Sequence, residues 1–310
     1  MLLTARKRKG FRLLLTRFRR CMPIYALMLP GIAATFIFSY IPMYGVQIAF
    51  KDFKFSKGIW GSPWVGLQHF IRFTTYIGFW TILRNTLSIT LYTLATFPIT
   101  IIIALLLNEL RSQHFKKVVQ MVSYAPHFLS TVVLCGMIML FFGRSNGVVN
   151  NILELLGFER IDFLTSESMF ADIYVWSGVW QGVGWGTIIY LAALSGVSPE
   201  LVEAAQIDGA SRLQIIRHVH IPGILPTVII MFILATGNLL SLGYEKILLL
   251  QNDLNLSVSR VISSYVYEIG LQGGQLSYST AINFFNNVVN ILILLGVNWI
   301  ATRTSEVSLW

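Results

Sequence analysis

EAAQIDGASRLQIIRHVHIP, residues 203–222, is a charged, helix-forming passage set between two long apolar runs. It reads as a short helix, a glycine break and a second, amphipathic helix. Pro199 and Glu200 open the first helix, because proline is tolerated in the first turn and an acid there suits the helix dipole. Gly209 permits a sharp turn that a residue with a Cβ would resist. Leu213, Ile216, Val219 and His220 recur every three to four residues and give the second helix one apolar face. Pro222 lacks an N–H and is expected to stop that helix. By periodicity alone, an ordinary amphipathic connection between two membrane helices fits the passage equally well.

The flanking sequence sets the environment. Of 310 residues, 55% are hydrophobic and 12% charged, with a mean hydropathy of +0.67. Soluble domains carry about a quarter of their residues as charges, so an all-α integral membrane protein is expected. The formal net charge is +9, and eight of the 23 Lys and Arg fall in the first 20 residues. This cluster reads as a cytoplasmic, lipid-facing anchor rather than a nucleic-acid site, and no nucleic-acid motif accompanies it. Phe11, Leu13 and Phe18 lie among the charges, so a short amphipathic surface helix and a plain positive-inside signal both fit. The apolar run after Arg20 is too long for a cleavable signal peptide. Cys21 and Cys135 have no metal-ligand spacing and read as free thiols.

About 20 apolar residues cross the hydrocarbon core as a helix. On that scale six spans are expected, at roughly 24–50, 79–107, 118–142, 169–194, 224–250 and 278–301. They form a domain of residues 24–301 between a basic segment, 1–23, and a tail, 302–310. Pro30 and Pro42 predict a kink in the first span. Pro126, flanked by Tyr124 and His127, predicts one in the third. Arg111, Lys116 and Lys117 mark residues 108–117 as cytoplasmic, on the same side as the N-terminus. Arg212 and Arg217 in the 195–222 loop and Arg303 in the tail follow the same bias, which places both termini in the cytoplasm. Residues 51–76, 143–168 and 252–277 are the outer segments. Trp60 and Trp64 suit an interfacial belt, and GVVNNILELLGF (147–158) suits a short surface helix.

The pattern Glu203-Ala204-Ala205, Asp208-Gly209, then Val219, Ile221 and Pro222 resembles the EAA loop of ABC importer permeases. Val219 and Ile221 stand where that family usually has Ile and Leu. The rest of the chain resembles the oligosaccharide permeases of these importers, in the LplB-like branch that handles alginate and pectin fragments. The resemblance is carried by YGVQIAFKDF (44–53), GSPWVGLQHF (61–70), RNTL (84–87), ALLLNEL (104–110) and YAPHFLS (124–130). It continues through GVVNNIL (147–153), IIYLAALSGVSPELVEAAQIDGA (188–210) and YSTAINFFNNVVN (278–290). Val202 departs from the aromatic that often precedes the EAA glutamate. The resemblance implies a type I ABC importer permease fold with six transmembrane helices, in a bacterial cytoplasmic membrane. It also implies a second, related permease, two ATPase subunits that bind ATP and Mg, and an extracytoplasmic solute-binding lipoprotein. The loop would then dock on an ATPase through Glu203, Ala204, Ala205, Asp208 and Gly209. An intraloop charge is the alternative role for Glu203.

No phosphate-binding loop is present, so the chain is not expected to be the ATPase. No metal cluster or nucleophile motif is evident, and neither an enzyme nor a bound cofactor is expected. Passage of a sugar calls for amides, hydroxyls and aromatic faces. Asn283, Asn287 and Asn290 share one face of the sixth span, with Asn286 beside it. Hydrogen bonding between helices is the equally weighted alternative for these amides. Asn238, Tyr244 and Glu245 on the fifth span, and Trp176, Trp180 and Gln181 on the fourth, complete the candidate set. The rival class is an ion-coupled secondary transporter or channel. Such proteins keep ionisable groups deep in their spans, whereas Glu245 lies near the outer end of the fifth, and no inverted repeat is visible. An importer of amino acids or peptides is a weaker option, because the lining residues favour a neutral polar ligand.

Overall fold

A computed structural model describes residues 21–304 and 308–309. The basic N-terminal cluster, with its amphipathic-helix reading, lies outside the described residues. The regular structure of the described residues is helical apart from one antiparallel bridge between Lys51 and Trp64. The described residues divide into two compact units, one ending at Gly66 and the other beginning at Leu67.

In the first unit, helix α1 (Cys21–Phe50) is 30 residues long, and its most apolar stretch buries no residue. Pro30 and Pro42 do not interrupt it. A widened π turn, Phe36–Tyr40, ends two residues before Pro42, which accommodates the missing N–H and the ring. Beyond α1, Lys51 donates Nζ to the Ile59 carbonyl at 2.8 Å and lies 4.7 Å from the Trp64 ring centroid. Trp60 and Trp64 are largely exposed.

The second unit begins with a short helix, Gln68–Thr74, and α2 (Phe79–Asn108). Then α3 (Gln113–Phe128) meets α4 (Thr131–Phe142) at 101°. A short helix α5 follows, Val148–Leu155, where a surface helix was expected. Next, α6 (Glu167–Ser195) turns by 75° into α7 (Pro199–Ile207), and α8 runs Arg212–Thr236. The unit closes with α9 (Tyr244–Leu250) and α10 (Leu276–Thr304). Helices α1, α2, α8 and α10 are each long and apolar enough to cross a membrane, as is each bent pair when taken as one span.

Three sequence expectations need correction. Pro222 does not stop its helix: α8 runs through it, because a π turn at Ile216–His220 again ends two residues upstream. The third predicted span, 118–142, is not a gently kinked rod. Leu129 is extended and Ser130 starts a new helix by accepting from the Val133 N–H at 3.3 Å, a standard N-cap. The fifth predicted span, 224–250, is not continuous. Its helix ends at Thr236, and α9 starts only at Tyr244. Gly237, Asn238, Ser241 and Gly243 in the gap are all weak helix formers.

Among the described residues, three apolar clusters form the interior. Ile89, Leu134, Cys135, Phe170, Tyr174 and Ile247 join α2, α4, α6 and α9. Phe73, Phe79, Ile82, Tyr265, Tyr278 and Ile282 form a second cluster at the start of α2 and α10. Ala104, Leu105, Tyr190, Leu194 and Ile224 bind the C-terminal halves of α2 and α6 to α8. Glycine sets the closest approach, between α6 and α3: a Cβ on Gly184 would lie 2.0 Å from the Ser123 carbonyl oxygen. Small residues at such crossings let helix backbones meet. Gly184→Ala is therefore expected to lower the midpoint of thermal unfolding by the equivalent of about 1–3 kcal/mol of overpacking. Gly136→Ala, where no atom lies within 4 Å of the added Cβ, leaves it unchanged or raises it.

Candidate functional site

The loop between α6 and α8 is built from local signals that reinforce one another. Pro199 occupies the first turn of α7, and Glu200 lies in that turn. At the other end, Gly209 takes φ +78°, and the Ala210 N–H donates to the Ala205 carbonyl at 2.9 Å. This bond to the carbonyl five residues back, with glycine in the left-handed region, is a Schellman stop. Ser211 then begins α8: its N–H donates to Gln214 Oε1 at 2.7 Å and its hydroxyl to the same oxygen at 2.8 Å. Both bonds satisfy groups at a helix start. Two helices are thus joined by a turn in which the backbone is specified residue by residue.

The base of the loop is anchored while its surface is free. His220 is buried in the π turn, and its Nε2 lies 3.4 Å from Glu109 Oε1, just past α2. Gly223 faces Val197, where a Cβ would meet Cγ2 at 2.7 Å. By contrast α7 buries no residue. Ile207 is 87% and Leu213 74% exposed, which is unusual for large apolar side chains outside an interface. Glu203, Ala204, Asp208 and Gly209 are exposed and Ala205 half-buried. Neither Glu203 nor Asp208 has an ion-pair partner among the described residues, so no intraloop pair occupies Glu203.

The candidate path residues fall into separate groups. Asn286 and Asn290 are buried against the gap after α8. Asn290 Oδ1 accepts from the Leu240 N–H at 2.9 Å, its Nδ2 donates to Ser241 Oγ at 2.9 Å, and Asn286 Nδ2 donates to the Leu240 carbonyl at 3.3 Å. Asn283 and Asn287 are exposed; the four amides are not brought together. Asn238 is exposed in the gap itself. Tyr244 and Glu245 lie on α9, not on α8, and Tyr244 stacks on Tyr267 at 5.1 Å. Trp176 donates Nε1 to Tyr92 Oη at 2.9 Å, which donates to Asp172 at 2.6 Å. Trp176 and Trp180 line an apolar cavity of about 430 Å³ beside α4. Gln181 turns elsewhere, donating Nε2 to the Leu129 carbonyl at 2.9 Å.

Sequence reasoning passed over two partly polar cavities bordered by α2 and α6. One, of about 340 Å³, has Thr93, Thr96, Gln181 and Lys246 among apolar walls that include Phe97 and Val179. The other, of about 590 Å³, contains Arg84, Asn85, Ser88 and Glu167 near the N-terminal ends of both helices. There Glu167 Oε1 accepts from Ser257 Oγ at 2.6 Å. The sequence offers one partial signal, Lys246, a cation inside the predicted fifth span, 224–250.

A multi-pass membrane architecture with a rigid, exposed helical loop defines the class. The chain belongs to the family of binding-protein-dependent transport system inner membrane components, whose pattern matches residues 77–306. It is 41% identical over 284 residues to the polygalacturonan/rhamnogalacturonan transport system permease protein YteP of Bacillus subtilis (strain 168), covering 91% of this chain and 88% of that one. Protein LplB of the same organism is 41% identical over 288 residues, covering 93% and 91%. Among solved structures, a chain of a bacterial alginate ABC transporter in complex with an alginate pentasaccharide-bound periplasmic protein superposes with a TM-score of 0.86. The two share 36% identity, covering 95% of this chain and 99% of that one.

The hydrogen bonds of Asn290 make a direct prediction. Asn290→Leu leaves the buried Leu240 N–H without its acceptor and is expected to destabilise the protein by about 1–3 kcal/mol. Asn287→Leu, on the exposed face, is expected to change the thermal midpoint little. Thermal unfolding of both variants in the same detergent checks the difference.

Proposed function

We propose that this chain is a permease subunit of an ATP-driven, binding-protein-dependent importer and forms half of the membrane path for an oligosaccharide. Six spans cross the bacterial cytoplasmic membrane, the bent pairs α3–α4 and α6–α7 each contributing one, and both termini face the cytoplasm. A second, related permease completes the path, an extracytoplasmic binding protein delivers the sugar, and two ATPase subunits carry ATP and Mg. The observation that carries this reading is α7: a helix that buries no residue, is apolar at the exposed Leu201 and Ile207, and is joined to α6 and α8 by specified turns. Its free face suits a groove on an ATPase. Glu203 and Asp208 provide unpaired acids for basic partners, and Ala204 and Ala205 permit close approach.

The ion-coupled alternative is not favoured, because the chain belongs to a binding-protein-dependent transport family. ATP hydrolysis by the complex, reconstituted with its partner subunits and binding protein and challenged with a panel of oligosaccharides, tests the proposal. One sugar class is expected to stimulate turnover. Glu203→Ala is expected to lower that stimulation by about tenfold, the effect of one charge-assisted contact of about 1.4 kcal/mol. Gly209→Val, which forces a β-branched residue to φ +78°, is expected to abolish it. Assembly with no ATPase, or transport driven by an ion gradient without one, would falsify the proposal.

A further inference from the structure

The smaller polar cavity between α2 and α6 holds a cation without a counter-ion. Lys246 reaches into it from α9, and its half-buried ammonium lies 4.6 Å from the Tyr174 ring centroid. One of its N–H groups donates to the Tyr174 carbonyl at 2.7 Å, which leaves two donors. No carboxylate oxygen among the described residues lies within 4.0 Å of Nζ. Gly178 makes room for the group, since a Cβ there would stand 3.3 Å from Nζ. A desolvated cation is costly without a charge partner and marks functional sites in membrane proteins.

Between apolar walls of Phe97, Val175, Val179 and Val183, the polar side chains of the lining supply acceptors. Thr93 donates its hydroxyl to the Ile89 carbonyl at 2.9 Å, and Thr96 donates to the Thr93 carbonyl at 2.7 Å. Their proton positions are committed to their own helix, so their oxygens remain to accept. Gln181 commits Nε2 to the Leu129 carbonyl and keeps Oε1. The site thus offers a positive charge beside several oxygen acceptors. A ligand that satisfies both has a carboxylate next to donating hydroxyls, which is the chemistry of a uronic acid unit. The volume, about 340 Å³, falls in the small-ligand range of about 300–1,000 Å³.

We propose that this cavity is a passage site for the uronate units of an acidic oligosaccharide. The Lys246 ammonium pairs with the sugar carboxylate, and Thr93, Thr96 and Gln181 accept from the sugar hydroxyls. The proposal rests on the oligosaccharide-permease reading and narrows its substrate to acidic sugars. Two of the similar proteins are named for such polymers, polygalacturonan and alginate. Lys246 acts by charge rather than by shape. Gly178 acts by leaving the ammonium free to meet the passing carboxylate.

The test is import of uronate trimers (galacturonate, guluronate and mannuronate) by the full complex in vesicles, normalised to the amount of assembled complex. Neutral arabinose and maltose trimers are run in parallel. Lys246→Gln is expected to lower import of the transported uronate by about tenfold or more, the scale of one lost charge pair. Lys246→Arg is expected to keep most of it. Gly178→Val, which crowds the ammonium, is expected to fall with Lys246→Gln. Equal import by wild type and Lys246→Gln overturns the proposal. So does an equal loss in Lys246→Gln and Lys246→Arg accompanied by a lowered thermal midpoint, which assigns the lysine to packing. Import of neutral trimers alone by wild type overturns the acidic class while leaving the oligosaccharide reading in place. Import of no sugar by wild type removes both.

Discussion

A hydrocarbon layer offers no water to a peptide group, so every interruption of a helix within it needs a protein partner. The breaks in this chain follow that constraint. Where α8 ends, Leu240 exchanges its N–H and carbonyl with the side chains of Asn290 and Asn286 on α10. Where α3 bends into α4, the Leu129 carbonyl accepts from Gln181 on α6. Pro42 and Pro222, which remove a donor, each follow a widened turn that absorbs the loss within the helix. At the breaks after α8 and between α3 and α4, side-chain amides in the apolar interior satisfy the freed backbone and tie the break to a neighbouring helix.

The same logic makes the α6–α8 loop a stiff element. A force on α7 passes into α6 through the turn at Gly196–Ser198 and into α8 through the Schellman stop and Ser211. Both helices share the cluster of Tyr190, Leu194 and Ile224 with Ala104 and Leu105 of α2. His220 and Glu109 add a polar link from the base of the loop to the end of α2. The polar cavity with Lys246 lies farther along the same pair, α2 and α6. In the proposed importer, displacement of the loop would act on the helices that border the cavity.

Much of this was legible in the sequence, for physical reasons. Hydropathy locates the long apolar helices because lipid selects composition over a whole span. Pro199, Gly209 and the small EAA residues declare the loop because each governs its own backbone. What failed depends on partners. The gap at 237–243 was hidden because Leu239, Leu240 and Leu242 keep hydropathy high, although Gly237, Asn238 and Gly243 were in view. Pro222 was read as a stop because the turn that accommodates it lies upstream and is a matter of register. Helical period put Asn283, Asn287 and Asn290 on one face, but only the packing of α10 against the gap separates Asn286 and Asn290 from the exposed pair. Lys246 escaped notice because one cation in an apolar run says nothing of the cavity that Thr93, Thr96 and Gln181 complete.

The exposed face of α7 is the central claim, and its contact can be trapped. Cys21 is half-buried and Cys135 buried, so Ile207→Cys provides a thiol on an exposed position. In the assembled complex, a short bifunctional thiol reagent is expected to join that position to an ATPase subunit, with a yield that changes when ATP is bound. An Ile207→Cys thiol that stays freely labelled in the intact complex, with no cross-link in either nucleotide state, would contradict the assignment of α7 as the surface through which hydrolysis drives transport.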